Sequence, residues 1–138
     1  MRTISVEWID DPVDNQCWKQ VMQLFLKPGR AFEIRCWKEE QEIVKEILRY
    51  GLLSVPDCTE YEVSVRGSLT DPIIQNLLHA KNKVDQMTPF FTINIENRVS
   101  SSHYGKEIYF FDPTPEILDQ LHEILEPIQD DFSFGEYA

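Results

Sequence analysis

Two hydrophobic periods take turns along this chain, and together they leave few architectures open. Ile4, Val6 and Trp8 alternate with Thr3, Ser5 and Glu7. Phe32, Ile34 and Cys36 alternate with Glu33, Arg35 and Trp37, and Tyr61, Val63 and Val65 with Glu62, Ser64 and Arg66. Phe91, Ile93 and Ile95 do the same against Thr92, Asn94 and Glu96, and Ile108 to Phe111 forms a fifth such run. A period of two marks a strand with one buried face.

Between these runs the period becomes helical. The apolar positions are Val13, Cys17, Trp18, Val21, Met22, Leu24 and Phe25, then Ile43, Val44, Ile47 and Leu48, then Ile73, Ile74, Leu77, Leu78 and Val84. Ile117, Leu118, Leu121, Ile124, Leu125 and Ile128 give the most regular stripe. The order is β-α-β-α-β-α-β-β-α. A doubly wound parallel sheet would be apolar on both strand faces, whereas these strands carry polar residues at alternate positions. The expected fold is therefore α+β: a two-layer sandwich of a five-stranded, mixed or mostly antiparallel sheet with four helices mainly on one face.

Local signals set the boundaries. Asp10-Asp11-Pro12 stops the first strand, Lys27-Pro28-Gly29 turns the chain after the first helix, and Gly51 is placed to cap the second. In Thr70-Asp71-Pro72 the expected N-cap is Asp71 with Pro72 at N1. The runs at 91–95 and 108–111 suit a hairpin whose loop is Asn97 to Gly105, and Pro127 should end or kink the last helix near Glu126. This gives one domain over residues 1–129 and a short acidic, aromatic tail over 130–138 containing Phe132, Phe134 and Tyr137.

Charge is distributed unevenly. Residues through Phe111 hold 16 acidic and 13 basic side chains, a net −3; Asp112 to Ala138 hold 8 acidic residues and no Lys or Arg, a net −8. No basic cluster exists to replace the counterions of a phosphate backbone, which excludes nucleic acid as an expected partner, and an anionic membrane surface with it. No apolar run reaches the roughly 20 residues of a bilayer span, and acidic residues interrupt the start too early for a signal peptide, so the expected location is cytoplasmic. Cys17, Cys36 and Cys58 lie 19 and 22 residues apart, a spacing of no zinc or redox motif, and read as reduced thiols.

Catalytic motifs are missing. The five glycines never form a G-x-G, so neither a phosphate loop nor a dinucleotide fingerprint can be built. The adjacent acid pairs Asp10-Asp11, Glu39-Glu40 and Asp130-Asp131 project differently and make poor metal cages, and no metal or cofactor is expected. His103 follows three serines, but proximity of Ser102 and His103 supplies neither an orienting acid nor an oxyanion hole.

Glu116, Asp119, Glu123 and Glu126 recur at three and four residues opposite the last apolar stripe, and Asp130 and Asp131 continue the ridge. Like charges at this spacing destabilise a helix by a few tenths of a kcal/mol per pair, so their retention without one Lys suggests a use. With Phe132 and Phe134 as apolar anchors, these residues are the expected contact for a basic protein. The functional expectation is a non-enzymatic acidic protein-binding module, an inhibitor or toxin-neutralising immunity protein for a basic partner. The alternative is a small-molecule-binding or enzymatic domain with a pocket near the 97–105 loop, lined by Ser102, His103 and Tyr109. A second surface is the outer sheet face, expected to display Glu7, Glu33, Arg35, Glu62, Arg66, Asn94, Glu96 and Tyr109, with Trp37 and Phe111, and able to serve a homodimer.

Overall fold

A computed structural model describes residues 2–9 and 14–137. The Asp10-Asp11-Pro12 stop and the place of Val13 in the first helix lie outside the described residues. The strands are β1 (Thr3–Trp8), β2 (Ala31–Trp37), β3 (Leu52–Leu53), β4 (Glu62–Ser68), β5 (Thr92–Ile95), β6 (Val99–Ser102), β7 (Glu107–Phe111) and β8 (Phe132–Tyr137). The helices are α1 (Gln16–Gln23), α2 (Gln41–Leu48), α3 (Asp71–His79) and α4 (Pro115–Leu125). All eight strands join one open sheet in the order β3-β4-β2-β5-β6-β7-β1-β8, and every neighbouring pair is antiparallel. The fold is thus α+β with a single antiparallel sheet and four helices, but the sheet has eight strands where five were expected.

The three additional strands have separate origins. β6 lies inside the segment expected to be a hairpin loop, so β5, β6 and β7 form a meander; its inward residues are Val99 and Ser101. The buried Ser101 hydroxyl accepts the indole N–H of Trp18 at 3.0 Å, which lets a serine occupy the core. β3 is only two residues long. β8 is built from the segment read as a tail and pairs with β1 from Thr3↔Tyr137 to Trp8↔Phe132.

Alternation decides the core. Ile4 and Val6, Ile34 and Cys36, Val63 and Val65, Ile93 and Ile95, and Ile108 and Phe110 all turn to one side and are buried there. Trp18, Val21 and Met22 of α1, Ile47 of α2, Leu77 and Leu78 of α3, and Leu121 and Leu125 of α4 complete the same cluster. Each such side chain contributes roughly 1.5–3 kcal/mol by leaving water. Tyr61, expected to turn inward, precedes β4 and is exposed; Val84 lies beyond α3, which ends at His79, and is exposed too.

The starts of α3 and α4 follow hydroxyl chemistry. Thr70, not Asp71, is the N-cap of α3, its side chain accepting from the Ile73 N–H, so that Asp71 and Pro72 fall inside the first turn. Thr114 caps α4 in the same way through Ile117. α4 ends at Leu125, and a 3-10 turn over Glu126–Asp131 with a break at Ile128 leads into β8, as Pro127 dictates. Between β6 and β7 the chain turns through His103, Tyr104 and Gly105, all at positive φ. A Cβ on Gly105 would lie 2.6 Å from Met87 Cβ and 2.8 Å from the Trp18 indole nitrogen, so the turn closes directly on the core.

Candidate functional site

α4 packs beside α1 and reaches the edge of the sheet where β8 lies. Between the helix end and the strand is a cavity of about 540 Å³ lined by His122, Leu125, Glu126, Gln129, Phe132 and Phe134. The register places Phe132 beside Trp8 and Phe134 beside Val6, so both phenylalanines share the inward face of the sheet. Among the described residues no further strand covers them, and Phe134 remains half exposed at 50%. Phe132 is held by the edge of the Trp8 ring, with centroids 6.0 Å apart at 80°.

Glu116, Asp119, Glu123, Glu126, Asp130 and Asp131 are all exposed, and among the described residues none of them has an ion-pair partner. Glu116 lies in the first turn, where the helix dipole favours it; Glu123 and Glu126 lie at the other end, where it does not. The structure thus brings Glu126 to the same groove as Phe132 and Phe134, while Glu116, Asp119 and Glu123 extend along the helix away from it. Among the described residues, Glu136 is the one acid after Phe111 with an ion pair, to Arg2 at 2.5 Å.

The outer sheet face has the opposite character. Glu33 points outward by register yet is only 8% exposed. Its carboxylate accepts from Ser64 Oγ at 2.6 Å, Asn94 Nδ2 at 2.9 Å and Arg35 Nη1 at 3.0 Å, with Arg66 Nη2 at 3.6 Å. Arg35 also bonds Glu62, and Arg66 bonds Asp57 at 2.8 Å. Burial pushes the Glu33 carboxyl up, but the bonds from Ser64, Asn94 and Arg35 and the charge of Arg66 outweigh it and hold it below its ordinary value. These charges pair with one another across β2 and β4. Glu96, expected on this face, sits in the β5–β6 turn at positive φ between Arg30 and Arg98. Trp37, Tyr104 and His103 gather around Phe91, with centroids 4.8, 5.2 and 5.5 Å away.

At the β6–β7 turn, His103 does not meet Ser102. Its Nδ1 lies 2.9 Å from Glu107 Oε2, and the Tyr109 hydroxyl donates to that same oxygen at 3.1 Å. Ser102 faces Ser100 instead, at 3.4 Å between hydroxyl oxygens. Sequence reasoning missed Glu107 as the shared acceptor; the signal was the four-residue separation across a turn. The pair lacks a nucleophile, and Ser102, His103 and Tyr109 do not line the α4–β8 cavity.

Among the described residues no three His, Cys, Asp or Glu side chains converge on a metal position, and no helix is long and apolar enough to cross a membrane. Burial, and then the charges of Glu40 and Glu62, push the Cys36 thiol up to about 12; burial and Asp14 push Cys17 up to about 11. Compared with family models, curated proteins and solved structures, the chain matches none.

Proposed function

We propose that this chain is a non-enzymatic protein-binding module that captures a basic partner on the α4–β8 surface, as an inhibitor or toxin-neutralising immunity protein would. The observation that supports it is the co-location of unpaired acids and an uncovered apolar groove at one end of the sheet. Among the described residues the arginines elsewhere on the surface are held in ion pairs, Arg30 and Arg98 with Glu96, Arg35 with Glu33 and Glu62, Arg49 with Glu46, and Arg66 with Glu33 and Asp57.

The division of labour is physical. Two charges 10 Å apart in water interact by about 0.4 kcal/mol, and six acids acting together create a field worth several times thermal energy near the ridge. Such a field raises association rates by about ten- to a thousandfold, while desolvated aromatic contacts decide how long the complex lasts. The turn at His103 does not favour the alternative pocket reading, because it presents an imidazole–carboxylate contact on an exposed surface.

Capture from a lysate of the cells that make the protein tests this. Immobilised wild type should retain basic proteins, release them as salt rises from about 0.1 to about 0.5 M, and lose them when Glu116→Gln, Asp119→Asn, Glu123→Gln and Glu126→Gln are combined. Retention unchanged by the four substitutions would remove the proposal.

A further inference from the structure

The geometry points to β8 as a docking edge at which an extended basic segment of the partner adds to the sheet as its next strand. The inference rests on the reading of the α4–β8 surface as the partner-binding surface and specifies how that surface is engaged.

The hydrogen-bond register exposes the edge. The Ile9 N–H donates to the Asp131 carbonyl at 3.0 Å. Hydrogen-bonded and non-hydrogen-bonded pairs alternate along an antiparallel ladder, so Glu7↔Ser133, Ser5↔Gly135 and Thr3↔Tyr137 are the bonded pairs. Phe132, Phe134 and Glu136 belong to the other set, and their backbone N–H and C=O groups point away from β1. β8 ends the strand order, so among the described residues no strand receives them. Edge strands are ordinarily blunted by charged side chains, Pro or extreme shortness; β8 has six residues with neither Lys nor Pro and one charge, Glu136, which is met by Arg2, whereas β3 at the opposite edge has two residues.

The same three residues direct their side chains to the groove side of the sheet. A strand laid along β8 would bond their backbones and drop every second side chain next to Phe132, Phe134 and Leu125. Main-chain bonds then supply affinity and alternate side chains supply selection.

Charge selects the occupant. Glu126, Asp130 and Asp131 flank the edge without ion-pair partners among the described residues, and Glu136 has only Arg2. A second copy of this chain, paired β8 to β8 about a two-fold axis, would set these acids against themselves. A segment alternating apolar residues with Lys or Arg complements both the acids and the apolar floor.

Two synthetic peptides of equal charge separate the possibilities: five Lys-Val repeats, and five Lys-Gly repeats that lack apolar side chains and strand propensity. The Lys-Val peptide should bind the full chain more tightly, and amide exchange at Phe132, Phe134 and Glu136 should slow in its presence, a readout on the unsubstituted protein. Phe134→Pro removes an outward N–H that β1 does not use, which edge strands tolerate. It should weaken Lys-Val binding by about tenfold beyond Phe134→Ala, with Lys-Gly binding equal in the two variants. Equal binding of both peptides, equal loss in the Pro and Ala variants and unchanged exchange at the three amides would overturn the edge inference and leave the charge reading standing. Failure of both peptides to bind, or binding that survives the four α4 neutralisations, would overturn both.

Discussion

Removing the Glu33 carboxylate should destabilise the protein by about 3 kcal/mol while leaving partner capture intact. The figure follows from which donors are stranded. Ser64 is 0% exposed, so its hydroxyl has no water to turn to when its 2.6 Å acceptor is lost, at about 1–3 kcal/mol. Asn94 and Arg35 are half-buried, can rehydrate, and Arg35 keeps Glu62; their two lost bonds add about 1 kcal/mol. Glu33→Gln should cost less, about 1–2 kcal/mol, because the amide oxygen can still serve Asn94 while its NH2 faces the Arg35 guanidinium. In urea, with a slope of about 1–3 kcal/mol per molar, the Ala variant should unfold about 1–3 M earlier than wild type. Acidity adds a sign that can be checked. The folded carboxyl is held below its unfolded value, so its contribution is fully present above the ordinary glutamate range and is lost as pH falls through the folded pKa. The stability gap between wild type and Glu33→Gln should therefore narrow from about pH 6 to about pH 3. A gap constant over that range, or an Ala variant within about 0.5 kcal/mol of wild type, would refute the network as argued.

Glu123→Lys should raise stability by about 0.5–1 kcal/mol in thermal unfolding, because it replaces repulsion from Asp119 and Glu126 with an i,i+4 pair and suits the helix end; the same change should slow capture of a basic partner. Gly105→Ala should cost about 2–4 kcal/mol and alter tryptophan fluorescence, since the methyl meets Met87 and Trp18 at a φ of +85°. Alkylation of Cys36 at pH 8 should proceed only as fast as the chain unfolds, because the thiol is fully buried and its pKa is pushed up to about 12; rapid labelling of the native protein would contradict this.

Five strands were legible because half-buried strands write their orientation as alternation, and β1, β2, β4, β5 and β7 do so. β6 was not, since Ser100, Ser101 and Ser102 carry no apolar signal and Ser101 is admitted to the core only by the Trp18 N–H. β3 depends on a backbone approach that no periodicity reports: a Cβ on Gly51 would lie 2.3 Å from the Arg66 carbonyl oxygen. Phe132 and Phe134 did alternate, yet an edge strand with one flank open resembles a tail until its neighbour is known. The acids of the site could be counted in the sequence, but the groove could not be drawn, because Phe134 is placed by pairing with Val6 at the far end of the chain. Glu33 illustrates the converse. Alternation put it outside correctly, and four polar neighbours then removed it from water.

β1 lies between β7 and β8, the two latest of the described strands in chain order. Ile4 has Phe110 on one side and Glu136 on the other, so the N-terminal strand has no sheet partner until about a hundred further residues exist. At a synthesis rate of about 5–20 residues per second, Ile4, Val6 and Trp8 spend about 5–20 s or more emerged and unpaired. The remaining strands, β2 to β7, pair among themselves and can form a sheet first, with α1 tethering β1 nearby. Within the described sheet the earliest strand therefore waits on the two latest for its partners, and the strand that covers its second flank is the one beside the acidic ridge.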